Sequence, residues 1–142
     1  MDRGRIRGQT ALCVEATREG VEHMNETKTY TGGCHCGQVR YEVKAGIQDV
    51  VSCNCSICMK TGSFLAFVPA AAVQILSGGD DVKDYQFGKK HIHHMFCPTC
   101  GIRTFGRGAM PDGTEMYAIN VRTLDDVDLG AFKVKEFDGK SL

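Results

Sequence analysis

Three cysteines lie within six residues of one another, at Cys53, Cys55 and Cys58, and form the strongest chemical signal in this sequence. Thiolate is a preferred ligand of zinc in proteins. Residues i and i+2 of an extended chain point the same way, so Cys53 and Cys55 are expected to bind one ion. The two-residue spacing to Cys58 then lets a tight turn add a third ligand. Three protein ligands leave one tetrahedral position for water or a substrate thiol, which is typical of catalytic zinc.

Four further cysteines form two pairs, Cys34 with Cys36 and Cys97 with Cys100. Gly101 follows the second pair and permits the positive φ that turns backbone N–H groups towards sulfur. Seven of the eight cysteines thus fall at one- or two-residue spacings, which favours metal ligands over ordinary buried thiols. The two pairs together predict a closed four-thiolate zinc site that joins distant parts of the chain and stabilises the fold.

The spacing leaves two partitions of these thiols open. In one, the three clustered cysteines share an ion and the two flanking pairs share another. In the other, a zinc ribbon takes Cys55, Cys58, Cys97 and Cys100, and three thiols are left over. Both partitions use metal-ligand spacings.

A histidine could complete the three-thiolate site as its fourth ligand. One of His91, His93 and His94 is a candidate fourth ligand, which would make that site closed and structural. His35 lies between two ligand cysteines and is predicted to point away from the metal.

The bulk composition indicates one globular domain of 142 residues, with 42% hydrophobic residues, 24% charged residues and a formal net charge of zero. The absence of a basic excess argues against a nucleic-acid partner, and no apolar run approaches the length of a membrane span. The N-terminus shows no apolar segment of a secretory signal. We therefore expect a cytoplasmic protein, where thiols are kept reduced and cysteine clusters favour metal over disulfides.

Short β-strands are predicted to position these thiols. Residues 27–31 and 38–44 are β-prone and flank the first thiol pair, and residues 91–96 and 102–105 flank Cys97 and Cys100. Each thiol pair is therefore expected at the tip of a hairpin. Further strands are predicted at 50–52, 64–68, 73–76, 85–87, 116–121 and 132–134, with helical turns at 70–72 and 124–126. No helix of ordinary length is expected after residue 24, so the fold class is mainly β.

The first 23 residues differ in composition from the rest. They are poor in apolar residues, and their one cysteine, Cys13, has no partner at metal-ligand spacing. We predict that residues 1–23 form a flexible N-terminal extension, that residues 24–142 form the zinc-binding domain, and that Cys13 is an incidental thiol.

Three segments resemble the glutathione-dependent formaldehyde-activating enzyme family, which shares its domain with centromere protein V. They are GGCHCGQVRY at 32–41, CNCSIC at 53–58 and FCPTCGIRTF at 96–105. The resemblance extends over residues 27–137. It implies a β-tent fold, in which short antiparallel sheets lean together around zinc. It also implies one partition of the thiols, with a structural zinc on Cys34, Cys36, Cys97 and Cys100 and a catalytic zinc on Cys53, Cys55 and Cys58.

The activity that this resemblance implies is S-(hydroxymethyl)glutathione synthesis, the addition of the glutathione thiol to formaldehyde, which is a carbon–sulfur lyase reaction in reverse. The expected partners are glutathione or another small thiol and a small carbonyl compound. Lys60 and Arg103 are the chosen candidates for the glutathione carboxylates, with Lys89, Lys90 and Arg107 also available. The alternative is a module that binds thiol or zinc without turnover, or a structural interaction module.

Overall fold

A computed structural model describes residues 27–141, and the predicted N-terminal extension and Cys13 lie outside these residues. The described chain forms ten strands and one short α-helix. In chain order these are β1 (Lys28–Gly33), β2 (Arg40–Ala45), β3 (Asp49–Cys53), α1 (Ser56–Thr61), β4 (Leu65–Pro69), β5 (Val73–Ser77), β6 (Lys83–Tyr85), β7 (Ile92–Phe96), β8 (Phe105–Ala109), β9 (Glu115–Asn120) and β10 (Lys133–Phe137). The prediction of a mainly β fold is confirmed.

The smaller sheet has three antiparallel strands in the order β1-β2-β5. Strand β2 shows why this segment is a strand, because the side chains of Tyr41 and Val43 are fully buried while Glu42 and Lys44, which alternate with them, face outward. Strands β1 and β2 form the predicted hairpin, and the connection between them contains the first thiol pair.

The larger sheet has seven strands in the order β10-β3-β4-β9-β8-β7-β6. Strands β7 and β8 form the second predicted hairpin, although β8 begins at Phe105, three residues later than predicted. One pair departs from the expected antiparallel pattern, since β10 runs parallel to β3, with Phe137 opposite Cys53. The C-terminal strand therefore borders the three-cysteine segment.

The two faces of the larger sheet have different environments. One face packs against the smaller sheet and forms the main core, in which Tyr41 contacts Phe105 edge to face with ring centroids 5.6 Å apart. The Tyr41 hydroxyl reaches Thr123 Oγ1 at 2.6 Å, so this buried phenol is hydrogen-bonded. The other face carries helix α1 and a second, smaller apolar cluster, and this is the face that bears the cleft described below.

Helical structure departs from the prediction in two places. Helix α1 has only six residues, too few for hydrophobic periodicity to reveal it, and it occupies the position predicted as a tight turn. The segment 124–126 was predicted as a helical turn, but Leu124 makes an isolated β-bridge with Gly32, and Asp125 and Asp126 form a non-helical turn. Short 3₁₀ helices lie on either side, at Val121–Thr123 and Leu129–Ala131, and the helical turn at Ala70–Ala72 is present as predicted. Within residues 27–141, helices are all too short and too polar to cross a bilayer.

Candidate metal centres and the adjoining cleft

The first cysteine group unites the tips of the two hairpins. The sulfurs of Cys34, Cys36, Cys97 and Cys100 all lie within 4.8 Å of one another. Cys36 Sγ is 3.6 Å from Cys34 Sγ and 3.7 Å from Cys97 Sγ, far longer than a disulfide bond of about 2.05 Å. A zinc–sulfur distance of about 2.3 Å gives a tetrahedral sulfur–sulfur edge of roughly 3.8 Å. The spacing of these thiols therefore fits one tetrahedral metal ion.

Backbone amides surround the four-cysteine group. Val39 N–H donates to Cys34 Sγ at 3.3 Å, and Thr99 N–H donates to Cys97 Sγ at 3.4 Å. Backbone N–H groups, that of Cys36 foremost, lower the pKa of the Cys100 thiol to about 6. Because such hydrogen bonds favour the thiolate, both hairpin tips are built to carry negative charge on sulfur.

The second group is local in sequence. Strand β3 ends at Cys53, Cys55 is the N-cap of helix α1, and Cys58 lies in that helix. Cys55 and Cys58 are three apart in the sequence and thus lie on one side of the helical turn. The three sulfurs all fall within 4.8 Å of one another, and all three residues are buried.

The thiols of the three-cysteine group are close enough to oppose one another's ionisation. Hydrogen bonding to Cys53, then to Cys55, together with burial, raises the pKa of the Cys58 thiol well above its ordinary value. Three crowded, buried thiols resist full ionisation because each thiolate repels the next. A divalent cation removes this obstacle, since its charge exceeds that of any single neighbour.

The structure separates the cysteines into these two groups and does not bring together the four cysteines of the zinc-ribbon partition. No histidine of residues 27–141 has a ring nitrogen within the three-cysteine group. His93 instead pairs with Asp84 across the β6–β7 hairpin, and His35 is exposed. Both cysteine groups could hold a metal ion, and the second offers three cysteine sulfurs as ligand atoms.

A cleft opens beside the three-cysteine group on the face of the larger sheet that points away from the main core. It encloses a cavity of about 80 Å³. Apolar side chains form most of its lining, while its polar lining comprises the three cysteines, His91, His94, Arg103 and Arg107.

Within this lining, Arg103 has the largest number of buried polar atoms without a hydrogen-bond partner among the described residues. Its Nε and Nη1 atoms are buried and have no hydrogen-bond partner among the described residues. The main chain holds the residue in place, because Asn120 Nδ2 donates to the Arg103 carbonyl at 2.9 Å. A Cβ added at Gly106 would lie 3.3 Å from Arg103 Nη2, so this glycine leaves space for the guanidinium. Unpaired buried guanidinium atoms indicate a missing anionic or acceptor group.

His94 stands beside Arg103 in the same wall. Its ring stacks on Phe87, with centroids 5.3 Å apart, and its buried Nδ1 has no hydrogen-bond partner within residues 27–141. Burial, followed by the positive charge of Arg103, lowers the pKa of His94 to about 4. The imidazole is therefore neutral near pH 7 and retains one N–H group that can donate to a ligand.

The other predicted cationic candidates lie in different positions. Lys60 is exposed in the last turn of α1 and is not part of the cavity lining. Lys89 and Lys90 belong to the loop before β7 and are also outside the lining, whereas Arg107 is part of it. Gly106 and Gly108 on either side of Arg107 face the cleft, so the Arg107 side chain points to the opposite face of the sheet. The structure therefore brings one of the five candidate cations, Arg103, to the cleft.

Asn54 is a site-supporting residue that the sequence analysis did not single out. Its Nδ2 donates to Asp138 Oδ1 at 2.8 Å, and its Oδ1 accepts from Lys140 N–H at 2.8 Å. These contacts tie the C-terminal residues to the segment between Cys53 and Cys55. A local sequence pattern does not predict these contacts, because the partners are 84 and 86 positions from Asn54 in the sequence.

This chain is similar to known proteins over most of the described residues. The sequence matches the family model described as glutathione-dependent formaldehyde-activating enzyme over residues 29–137. A crystal structure of a Rhodobacter sphaeroides protein, determined in a structural genomics programme, is similar with a TM-score of 0.64 and 34% sequence identity. The alignment covers 74% of this chain and 99% of that protein.

Proposed function

This chain belongs to the glutathione-dependent formaldehyde-activating enzyme family, and we propose that it binds a small thiol, glutathione first among them, and adds it to a carbonyl compound. The product from formaldehyde is S-(hydroxymethyl)glutathione, and the reverse direction is a carbon–sulfur lyase reaction. The observation that carries this proposal is the three-cysteine group, whose sulfurs lie within 4.8 Å of one another in the wall of a cleft.

We assign zinc to both cysteine groups, as a structural ion on the four cysteines and a catalytic ion on the three. Zinc on Cys53, Cys55 and Cys58 would supply a position at which a substrate thiol is held as thiolate, since coordinated thiols lose their proton. We place this chemistry in the cytoplasm, where cysteine ligands and glutathione stay reduced.

The charge of the cleft suits an anionic sulfur. Three thiolates around a divalent ion carry +2 − 3 = −1, and a substrate thiolate makes this −2. Arg103 in the cavity lining contributes +1. The wall of the cleft therefore offsets the charge that a bound thiolate brings.

Arg103 is the residue we assign to a carboxylate of the thiol compound. Its buried Nε and Nη1 lack partners within the described chain, and a hydrogen bond from a guanidinium N–H to a carboxylate is charge-assisted and strong. Lys60, which the sequence analysis also proposed for this role, is exposed, so any contact it makes is screened by solvent. We therefore assign it at most a minor role.

The addition itself requires positioning and one proton. The thiolate sulfur forms a bond to the carbonyl carbon, the carbon–oxygen π bond breaks, and the oxygen takes up a proton. The N–H groups of Arg103 and of neutral His94 are the donors in the wall that can stabilise this oxygen as its charge develops. An apolar lining limits the water that competes for these donors.

The test is calorimetric titration of zinc-loaded protein with reduced glutathione, with S-methylglutathione as the control. We expect the free thiol to bind and the methylated one to bind far more weakly, and we expect Cys55→Ser to abolish the difference. Equal binding of both compounds would contradict ligation of the sulfur. Binding without any acceleration of adduct exchange would favour the alternative of a thiol-binding module without turnover.

A further inference from the structure

We propose that the cleft selects a carbonyl partner with an apolar substituent of several carbons over formaldehyde. This inference depends on the proposed function, because it names the substrate class of the same site. The cleft has a wide apolar floor, which formaldehyde is too small to cover.

Eight apolar side chains line the cavity. They come from β3, α1, β4, the loop before β7, β7 and β9, and they are Val51, Ile57, Leu65, Phe67, Phe87, Ile92, Met116 and Ala118. Solvated apolar surface of this extent is unfavourable, and it gains free energy when a ligand covers it. A cleft with this lining is typical of sites that recognise an apolar group.

The two ligands implied by the family name do not match this lining. Glutathione is a charged tripeptide, and its carboxylates belong with Arg103 at the polar wall. Formaldehyde has two heavy atoms and no apolar substituent. The cavity of about 80 Å³ is several times the roughly 10–15 Å³ that is needed to hold one water molecule. Space and apolar surface therefore remain for a substituent on the carbonyl carbon.

The register of the larger sheet places this space next to the reacting sulfur. The three cysteines pack in one apolar cluster with Leu65 and Ala118. Ala118 lies opposite Gly106 on β8, and the next position on the same face of β8 is Gly108. The Arg103 guanidinium lies beside Gly106, whereas the small residues Ala118 and Gly108 leave the floor of the cleft low. An apolar substituent that is attached to the carbonyl carbon can lie over Ala118 and Gly108.

Gly108 is open to substitution in a way that Gly106 is not. A Cβ at Gly108 would meet no atom closer than 3.8 Å, the nearest being His91 O and Ile92 Cγ1. At Gly106 the Cβ would lie 3.0 Å from His93 O. Gly108 faces Ile92 and Met116 across the strands, two residues of the apolar floor. A larger side chain at position 108 would therefore fill part of the floor without straining the strand.

The reaction on such a substrate balances without any further reactant. A thiol R–SH adds to an aldehyde R′–CHO to give R–S–CH(OH)–R′. The sulfur–carbon bond forms and the carbon–oxygen π bond breaks. The oxygen takes up the proton that the thiol lost and becomes a hydroxyl. No electrons leave or enter the pair, and the group R′ covers the apolar floor.

The first experiment measures adduct exchange by nuclear magnetic resonance with glutathione and a series of aldehydes, corrected for hydration and for the uncatalysed rate. Propanal and glycolaldehyde form a matched pair, because they have the same number of heavy atoms and differ in one methyl-to-hydroxyl change. We expect the protein to accelerate exchange about fourfold more for each added methylene, from formaldehyde towards hexanal. We also expect it to prefer propanal to glycolaldehyde. A flat series, or a preference for formaldehyde, would overturn the inference.

A binding measurement keeps this test separate from that of the proposed function. S-Methyl-, S-butyl- and S-hexylglutathione have no free thiol. Their affinities therefore measure the contact of the alkyl group with the apolar floor, independently of sulfur ligation and turnover. We expect affinity to rise along the series even if adduct exchange is not accelerated. Equal affinities would overturn the inference even if glutathione binds as proposed.

Two variants locate the effect. Gly108→Val should reduce the ratio of S-hexyl to S-methyl affinity at least fivefold, because the new side chain takes up part of the floor. Leu76→Val changes an exposed residue of β5 outside the cavity and should leave the ratio unchanged. Equal ratios in the wild type and Gly108→Val would place the apolar group elsewhere and contradict the proposal.

Discussion

The two cysteine groups of this protein use the same ligand atom in opposite structural settings. The four-cysteine group joins hairpin tips that are 61 residues apart between Cys36 and Cys97, and backbone N–H groups point at its sulfurs. The three-cysteine group comes from six consecutive residues and stands in the wall of a cleft. Ligands from distant segments bind the fold together, whereas ligands from one segment can gain or lose an ion with the strands in place.

Removing one ligand from each group is the most severe test of this comparison. We expect Cys97→Ser to leave the protein largely unfolded, because structural zinc contributes about 10–16 kcal/mol in small zinc domains and a whole domain is stable by only about 5–15 kcal/mol. Cys58→Ser should retain the β-sheet circular dichroism spectrum and bind one zinc ion instead of two. Circular dichroism and zinc content of the purified variants check both expectations.

The opposite result for the two variants would contradict the assignment of a structural role to the four-cysteine group. If Cys58→Ser unfolded and Cys97→Ser stayed folded with one ion, the local group would be the structural one. If both variants remained folded with one ion each, neither group would be needed for the fold.

The second prediction concerns the cations near the cleft. Arg103→Ala should weaken the binding of reduced glutathione about 10- to 100-fold, since a hydrogen bond to a charged group contributes roughly 1.5–3 kcal/mol. Lys60→Ala should change the affinity less than about twofold, because this exposed charge is screened. Calorimetric titration of the two variants in the same buffer measures these affinities. Equal losses of glutathione affinity in both variants would show that Arg103 has no special role.

A pH effect on stability should arise from His94. Its pKa of about 4 in the folded protein lies below the ordinary value of 6.5, so between these values the unfolded chain binds more protons than the folded one. The contribution of neutral His94 is fully present above pH 6.5 and is lost as the pH falls to about 4. His94→Phe should therefore lose less stability over this range than the wild type.

Urea denaturation of both zinc-loaded proteins at pH 7, 6 and 5 measures this difference. Proton competition for the cysteine ligands also destabilises the protein at low pH, but it affects both proteins alike and cancels in the comparison. Parallel curves for the two proteins would contradict the assigned pKa of His94.

The smallest predicted effects distinguish the two glycines of β8. Gly106→Ala should destabilise the protein by about 1 kcal/mol or more and weaken glutathione binding, because its Cβ crowds His93 O and Arg103 Nη2. Gly108→Ala should be neutral or should stabilise by up to about 1 kcal/mol through the unfolded chain. Equal urea midpoints for the two variants would show that Gly106 has no steric role.

Local patterns predicted the parts of this structure that depend on short spacings. Alternation in β2 predicted a half-buried strand, and the paired thiols predicted both hairpin tips. The thiol spacing alone did not choose between the two partitions, because both satisfy the same local rule. The choice requires knowing that the β1–β2 and β7–β8 hairpins meet, which is a property of the sheet packing.

Other features had no local signal at all. Parallel pairing of β10 with β3 and the contacts of Asn54 with Asp138 and Lys140 join segments more than 80 residues apart. The selection of Arg103 rather than Lys60 for the cleft depends on Gly106, which leaves room for the guanidinium on the sheet. Such features follow from tertiary packing, and a single sequence does not contain them as a pattern.

The central claim is that the three-cysteine group accepts a substrate sulfur while the four-cysteine group does not. Cobalt-substituted protein tests it directly, because the sulfur-to-cobalt charge-transfer absorption grows with the number of thiolates on each ion. We predict that reduced glutathione increases this absorption by the amount expected for one added thiolate per protein, and that Cys55→Ser abolishes the increase. An unchanged spectrum at saturating glutathione, or an equal increase in Cys55→Ser, would contradict the account.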